Sequence, residues 1–146
     1  MGIIVEGNIL NIKEGIIIQQ VNCKGKMNSG IAKSIATKYP IVKERYLKVC
    51  SLNTADNLLG KMHLVKVDTN LFFLNSFSQF SYGRDKDVKY TDEQLLINNI
   101  NRAMSLSVQY KLPLFAPCYI GCGLGNGVWE NILSGTKNTQ VTYLKI

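Results

Sequence analysis

The order of predicted elements along the 146-residue chain indicates an α/β domain with three layers, α/β/α, around a mixed, about six-stranded central sheet. Residues 15–21 form a nearly continuous apolar run, which is typical of a strand covered by helices on both faces. Strand-like and helix-like segments follow in the order β-β-α-α-β-β-α-β-α-β. No repeat or linker interrupts them, so residues 1–146 are expected to form a single domain.

Each predicted element rests on a local pattern. Pro40 separates two helices, over residues 29–39 and 41–50, because proline disrupts a helix interior. Thr91, with Gln94 three residues later, has the capping-box pattern and predicts the longest helix over residues 91–110. A short helix is predicted over residues 128–133. The predicted strands cover residues 2–6, 15–21, 61–67, 71–76, 112–116 and 140–145.

Composition excludes several classes of protein. With 46% hydrophobic and 18% charged residues, the chain is neither disordered nor of low complexity. No apolar stretch approaches the roughly 20 residues that a membrane helix needs, so no membrane partner is expected. The first six residues lack the basic region of a signal peptide, and a cytoplasmic protein is therefore expected.

The net charge of +7 is unevenly distributed. Between Asn22 and Val49, lysine and arginine recur while Glu44 is the one acid. Such a segment favours an anionic ligand or nucleic acid, although a solvated helix surface has the same composition. No aromatic ladder of the kind that binds single-stranded nucleic acid accompanies it, so nucleic acid is not the expected partner.

Cysteine and histidine patterns give no signal for a metal or a nucleophile. The four cysteines, Cys23, Cys50, Cys118 and Cys122, contain no Cys-x-x-Cys pair, and the single histidine, His63, lies in a strand-like segment. No metal and no cofactor are therefore expected. Without a neighbouring histidine to lower the pKa of a thiol, Cys23 and Cys122 are expected to pack rather than react.

Two segments, residues 21–32 and 117–128, repeat one pattern: an apolar strand, a loop with glycine, and the start of a helix. In the second segment glycine occupies positions 121, 123, 125 and 127. Glycine lets the backbone approach a ligand closely, and a helix N-terminus offers unpaired N–H groups to phosphate. Two such loops at the carboxyl ends of strands in one sheet predict a bound diphosphate. Simple strand-to-helix turns are the alternative.

The whole chain resembles the macrodomains, a family that binds ADP-ribose. The motifs that carry the resemblance are Gly7-Asn8-Ile9, Val21-Asn22-Cys23, Ser29-Gly30-Ile31-Ala32 and the stretch from Pro117 to Glu130. Residues 22–61 are similar to the branch that includes the yeast ADP-ribose 1″-phosphate phosphatase. The motif Tyr82-Gly83-Arg84-Asp85 is similar to phage and bacterial macrodomains, and for a phage protein the expected location is the host cytoplasm.

The resemblance implies roles for individual residues. Asn8 would contact the adenine amino group, and Ile9 would lie along the adenine. Asn22 would face the distal ribose or orient a water, and Asn22 and Ser76 are the candidate catalytic residues. The other implied ligand-binding residues are Gly30, Ile31, Ala32, Ser76, Phe77, Pro117, Ile120, Gly121, Cys122, Gly123, Leu124, Gly125 and Tyr143.

Two departures from the family pattern bear on the reaction. Macrodomains that remove ADP-ribose from glutamate carry a lysine and an aspartate where this chain has Ser76 and Gly125. A lysine adduct is therefore not expected, and release of phosphate from ADP-ribose 1″-phosphate is the expected reaction. Two alternatives stay open. One is a noncatalytic protein that sequesters ADP-ribose or a related nucleotide, and the other is a hydrolase that removes ADP-ribose from protein or DNA.

Overall fold

A computed structural model describes residues 2–146. The strands are β1 (Ile3–Glu6), β2 (Gly15–Asn22), β3 (Met62–Asp68), β4 (Leu71–Gln79), β5 (Leu114–Pro117) and β6 (Thr142–Lys145). The helices are α1 (Gly30–Lys38), α2 (Pro40–Leu52), α3 (Ala55–Leu58), α4 (Glu93–Tyr110) and α5 (Trp129–Gly135), and a 3-10 turn spans Ile9–Asn11. Within residues 2–146, no helix has both the length and the apolar character needed to cross a membrane.

The strands form one mixed sheet in the order β1-β6-β5-β2-β4-β3, and helices cover both of its faces. The predicted three-layer fold is therefore confirmed. Neighbouring strands pair in parallel except β3 and β4, which are antiparallel. Because β4, β2, β5 and β6 are parallel, their carboxyl ends meet at one edge of the sheet. The loops that follow these strands are thereby brought together.

The central strand β2 supplies residues to a core on each face of the sheet. Ile17 and Val21 belong to the core that includes residues of α1 and α2. Ile16 and Ile18 belong to the core that includes residues of α4 and α5. Because both faces of β2 are covered, the strand can be apolar along both rows of side chains, which explains why its sequence lacks the alternation of a half-exposed strand.

The predicted start of the longest helix is wrong. Asp92 rather than Thr91 is the N-cap of α4, and its Oδ1 accepts a hydrogen bond from the N–H of Leu95 at 3.1 Å. The Thr91 hydroxyl instead donates to the carbonyl of Gly121 at 2.7 Å. A contact between distant parts of the chain therefore replaces the local cap that the capping-box pattern predicted.

Other differences concern boundaries and short elements. Pro40 separates the first two helices as predicted, but it is itself the first residue of α2, a position where its missing N–H costs nothing. Strand β4 continues to Gln79, three residues beyond its predicted end. The short helix α3 and the 3-10 turn after β1 were not predicted, because four or three residues are too few to establish a helical period.

Glu93, the first residue of α4, ties this helix to the start of α5. Its Oε2 accepts from the N–H of Val128 at 2.7 Å, and its Oε1 accepts from Asn131 Nδ2 at 2.9 Å. Lys89 Nζ lies 2.9 Å from Oε2. The hydrogen bond from Lys89, together with those from Val128 and Asn131, holds the pKa of Glu93 below its ordinary value.

Because the folded-state pKa of Glu93 is lowered, its contribution to stability is complete above the ordinary glutamate pKa and is lost as the pH falls through the folded-state value. Glu93→Gln should lower the free energy of unfolding by about 1 kcal/mol at neutral pH and by less at about pH 3. Urea unfolding measures both values, with Glu44→Gln at an exposed position of α2 as the control. An equal loss at both pH values would contradict a role for the carboxylate charge.

Candidate functional site

A cavity of about 490 Å³ opens at the carboxyl edge of the sheet. Three loops and the end of β6 form its walls. The first loop (residues 23–29) follows β2 and leads into α1, the β4–α4 loop covers residues 80–92, and the second loop (residues 118–128) follows β5. The cavity has the size of a small-molecule site.

The second loop brings unpaired backbone donors to this cavity. Five of its N–H groups have no hydrogen-bond acceptor within residues 2–146, and their residues all line the cavity: Tyr119, Gly121, Gly123, Leu124 and Gly125. A loop with several consecutive free N–H groups is a binding site for an anion, because each N–H carries partial positive charge.

The carbonyl groups of the same loop are paired with the β4–α4 loop and within the second loop itself. The Gly121 carbonyl accepts from the Thr91 hydroxyl at 2.7 Å and from the N–H of Gly127 at 2.8 Å. The Gly125 carbonyl accepts from the N–H groups of Tyr90 and Thr91 at 2.9 and 3.0 Å. These acceptors are therefore already satisfied, while the donors of the loop stay free.

The glycines of the second loop are present for different reasons. A Cβ at Gly125 would lie 2.1 Å from Thr91 Oγ, and a Cβ at Gly127 would lie 2.6 Å from the carbonyl oxygen of Gly121. Gly121 has a φ of +75°, which favours glycine. At Gly123, by contrast, a Cβ would meet no atom within 4 Å, because it would project into open space at the cavity.

Asn22 shapes the first loop. Its Oδ1 accepts from the N–H groups of Lys24 and Lys26 at 3.0 and 3.2 Å, and its Nδ2 donates to the Lys26 carbonyl at 2.7 Å. The buried Tyr46 hydroxyl donates to the Asn22 carbonyl at 2.6 Å. Asn22 lines the cavity, and the hydrogen bonds of its side chain hold the first loop.

The first turn of α1 is a further source of backbone donors. Its N-cap, Ser29, makes no hydrogen bond with its side chain, so it satisfies none of the first N–H groups of the nine-residue helix. The first three helical residues, Gly30, Ile31 and Ala32, line the cavity. The positive end of the helix dipole therefore lies at the cavity, on the wall formed by the first loop.

The side chains that line the cavity include cations and no acid. Lys26, Arg84 and Lys145 line it, whereas no Asp, Glu or His of the described chain does. The only ion pair in residues 2–146 joins Lys89 and Glu93, so no carboxylate lies within 4.0 Å of the three cavity cations. The cavity therefore attracts anions and offers no side-chain carboxylate or imidazole as a general base.

Burial disfavours thiol and histidine chemistry at this site. It raises the pKa of Cys23 and of Cys122 to about 11, and it also raises the pKa of Cys118, which lines the cavity. These thiols are protonated near neutral pH and are poor nucleophiles. His63 lies in β3, outside the lining, and burial and the Arg45 charge lower its pKa. Residues 2–146 contain no cluster of three or more potential metal ligands of the His, Cys, Asp or Glu type.

Ten of the predicted ligand-binding residues line the cavity. They are Asn22, Gly30, Ile31, Ala32, Pro117, Ile120, Gly121, Gly123, Leu124 and Gly125. The structure places the other predicted site residues outside the lining, and these are Asn8, Ile9, Ser76, Phe77, Cys122 and Tyr143.

Ser76 and Phe77 lie in β4 beneath the cavity rather than on its wall. Ser76 is fully buried, and its Oγ lies 2.9 Å from Asn99 Nδ2 and 3.1 Å from Ser78 Oγ. Phe77 is also buried and stacks on Tyr46, with ring centroids 5.9 Å apart. The side chains of β4 point into the two cores, so neither residue contacts the cavity, and Ser76 is not placed to act as a catalytic residue.

Tyr143 and Cys122 also lie behind the cavity wall. Tyr143 is fully buried and packs edge-on against Trp129 at a centroid distance of 4.9 Å. Trp129 packs in turn against Tyr119, whose ring centroid is 5.4 Å away. Cys122 donates its S–H to the Ile120 carbonyl at 3.3 Å. These side chains support residues of the cavity wall without lining it.

Asn8 and Ile9 belong to the 3-10 turn after β1. Asn8 Oδ1 accepts from the N–H of Leu10 at 2.9 Å and caps the turn. Ile9 is buried in the core on the α1 and α2 side. The Asn8 side chain therefore serves as a cap and the Ile9 side chain packs in the core. Neither residue lines the cavity.

The sequence patterns did not identify several residues of the lining, namely Gln20, Tyr82, Arg84, Tyr119 and Lys145. A glutamine within the apolar run of β2 is a signal that could have found Gln20. Tyr119 has a φ of +67°, a conformation that is rare for residues other than glycine and that no pattern in the sequence predicts.

No family model and no curated protein matches the sequence. Solved structures match it over its whole length. A protein of unknown function from Bacteroides thetaiotaomicron superposes with a TM-score of 0.85 at 22% identity, over 100% of this chain and 98% of that one. The macrodomain of Mycobacterium tuberculosis DarG superposes with a TM-score of 0.75 at 18% identity, over 99% and 97% of the two chains. This chain has the macrodomain fold.

The macrodomain fold is also found in a larger protein. Thermosipho africanus DarTG in complex with ADP-ribose superposes with a TM-score of 0.74 at 17% identity, over 98% of this chain and 41% of that one. These structural similarities establish the macrodomain fold of the chain. The cavity is formed by residues of this chain itself.

Proposed function

We propose that this chain binds ADP-ribose, with the diphosphate held between the first and second loops. The observation that carries the proposal is the set of five unpaired N–H groups in the second loop, in a cavity lined by three cationic side chains and no acidic side chain. Phosphate oxygens accept hydrogen bonds from such donors and are attracted by the cations. The Thermosipho DarTG structure, which shares the fold, contains ADP-ribose and supports the choice of nucleotide.

The remaining cavity surface suits the less polar parts of the nucleotide. Tyr82 and Tyr119 are 49% and 47% exposed, and both line the cavity. Half-exposed aromatic rings offer a flat surface to a base or a ribose. Lys145 Nζ lies 5.7 Å from the centre of the Tyr119 ring, which adds a cation beside that surface.

ADP-ribose should raise the melting temperature of the protein, because a ligand that binds only the folded state stabilises it by mass action, by about 2.7 kcal/mol at 100 times Kd. Isothermal calorimetry with ADP-ribose, ADP, AMP and NAD should rank ADP-ribose first and AMP last among these ligands. The absence of both heat and thermal shift with millimolar ADP-ribose would contradict the proposed function.

Gly123 allows a direct test of the second loop, because a side chain at this position would enter open space and should leave the fold intact. Gly123→Glu should weaken ADP-ribose binding at least about tenfold more than Gly123→Gln, since the two side chains have the same size and only one repels phosphate. Calorimetry and thermal unfolding of each variant without ligand measure affinity and stability separately. Binding by Gly123→Glu as tight as in the parent protein would exclude phosphate from this loop.

A second candidate function is hydrolysis of ADP-ribose 1″-phosphate to ADP-ribose and phosphate. The cation-rich lining favours it, because positive charge and N–H donors stabilise a departing phosphate. Cleavage of the C1″–O bond releases phosphate as an anion that needs no proton, and a water adds to C1″ and gives its proton to the released phosphate. The lack of an acidic side chain in the lining therefore does not prevent this step. The similarity of residues 22–61 to the yeast phosphatase branch also supports it. In this proposal Asn22 positions the first loop, and Ser76 takes no direct part.

We expect the purified protein to release phosphate slowly from ADP-ribose 1″-phosphate. Arg84→Ala should lower kcat/KM at least about tenfold because it removes a cation from the cavity, whereas Lys48→Ala, an exposed site on α2, should not. Glutamate-linked and thymidine-linked ADP-ribose are assayed in parallel. Release of ADP-ribose from either conjugate without phosphate release would favour the conjugate hydrolase, and binding without any turnover would favour the noncatalytic protein.

A further inference from the structure

A chain of hydrogen bonds connects the middle of α4 with the central strands. Asn99 Nδ2 donates to Ser76 Oγ at 2.9 Å, and the Ser76 hydroxyl donates to Ser78 Oγ at 3.1 Å. The Ser78 hydroxyl donates to Gln20 Oε1 at 2.9 Å. Asn99, Ser76 and Ser78 are at most 1% exposed, so water does not compete for these bonds.

The chain continues from β2 to the second loop. Gln20 Nε2 donates to Thr91 Oγ at 2.8 Å, and the Thr91 hydroxyl donates to the Gly121 carbonyl at 2.7 Å. Thr91 is 3% exposed. Its backbone N–H also donates to the Gly125 carbonyl at 3.0 Å. One residue thus holds the carbonyls at both ends of the segment 121–125.

The groups at the two ends of this series of hydrogen bonds determine which group donates and which accepts in each bond. The Asn99 amide nitrogen can only donate, and the Gly121 carbonyl can only accept. Each hydroxyl between them has one proton, so each accepts from the α4 side and donates toward the second loop. Because Thr91 Oγ accepts from Gln20, its own proton is left for Gly121.

We infer that Thr91 is a positioning residue for the second loop, and that Gln20, Ser78, Ser76 and Asn99 set the direction of its hydroxyl. The two carbonyls that Thr91 holds flank the unpaired N–H groups of Gly123, Leu124 and Gly125. Holding these carbonyls keeps the loop in the conformation in which those donors are free before a ligand arrives. A preformed site avoids the cost of ordering the loop on binding. This inference rests on the proposed function, in that the free donors are the ones that bind the diphosphate.

The contact also explains the packing around the loop. A Cβ at Gly125 would lie 2.1 Å from Thr91 Oγ, so the glycine is what allows the threonine to approach. Removal of the hydroxyl would leave Gln20 Nε2 with Gln79 Oε1 as its remaining acceptor and the Gly121 carbonyl with the N–H of Gly127 as its remaining donor, so each group would lose one hydrogen bond. The observed conformation of the second loop would then be less stable relative to other conformations.

Thr91→Val removes the hydroxyl and keeps the shape of the side chain, whereas Thr91→Ser keeps the hydroxyl. Thr91→Val should raise the Kd for ADP-ribose about 10- to 100-fold, and Thr91→Ser should change it less than about threefold. Ser76→Ala, which touches no ligand, should raise the Kd by a smaller factor. Thr54→Val removes the hydrogen bond that caps α3, whose residues do not line the cavity, and should lower the melting temperature with Kd unchanged.

Calorimetry well below each variant's melting temperature measures the affinity of the folded protein, so a purely structural role would leave Kd unchanged. A second readout needs no ligand: the NMR order parameters of the amides of Gly123, Leu124 and Gly125 should fall in Thr91→Val and stay at the parent values in Thr91→Ser. If Thr91→Val does not fold, Gln20→Met takes its place in the order-parameter measurement only, since it removes the donor to Thr91 Oγ but also changes a side chain that lines the cavity.

The outcomes separate the two proposals. Unchanged Kd and unchanged order parameters in Thr91→Val would overturn the role of Thr91. Lowered order parameters in a protein whose parent form does not bind ADP-ribose would retain that role and reject the proposed function. A raised Kd with rescue by Thr91→Ser would support both.

Discussion

Strand β2 pairs in parallel with β4 on one side and with β5 on the other, and the cavity depends on this pairing. Because the three strands run in the same direction, the first loop, the β4–α4 loop and the second loop leave the sheet at one edge. Hydrogen bonds between neighbouring loops then determine the shape of the cavity. The N–H of Cys23 donates to the carbonyl of Phe80 in the β4–α4 loop at 3.3 Å and to that of Gln79 at the end of β4 at 2.9 Å, and the Thr91 hydroxyl donates to the Gly121 carbonyl at 2.7 Å.

The donors of the second loop are backbone groups, which every residue except proline can supply. Side-chain identity matters mainly where a residue must hold the backbone or must lack a Cβ, as at Asn22, Thr91 and Gly125. Much of the remaining sequence can therefore change while the cavity keeps its donors. The chemistry of the lining is restricted in the same way: cations and N–H groups stabilise negative charge, whereas the partly buried thiols of Cys118 and Cys122 have a raised pKa and no side-chain carboxylate lines the cavity. Charge stabilisation, rather than proton transfer by a lining residue, is the chemistry that this cavity favours.

Those features that depend on short stretches of chain could be predicted from the sequence. The apolar run of β2 predicted a strand covered on both faces, and the order of elements predicted three layers, which the structure confirms. Glycine at alternate positions marked the second loop, and the structure brings it beside the first loop. The periodicity of hydrophobic residues and the conformational freedom of the backbone at glycine depend on neighbouring residues, so the sequence shows them without knowledge of distant contacts.

The direction of side chains and the pairing of distant groups were decided only by the tertiary structure. Ser76 and Phe77 were predicted at the cavity, but each points into a core on one face of the sheet, because successive residues of a strand face opposite sides. Thr91 was predicted to cap α4, but it bonds to Gly121, 30 residues away along the chain. The Thr91 hydroxyl can bond either within the first turn of α4 or to Gly121, and it bonds to Gly121 because folding brings that carbonyl within 2.7 Å. The local sequence gives no information about this distance.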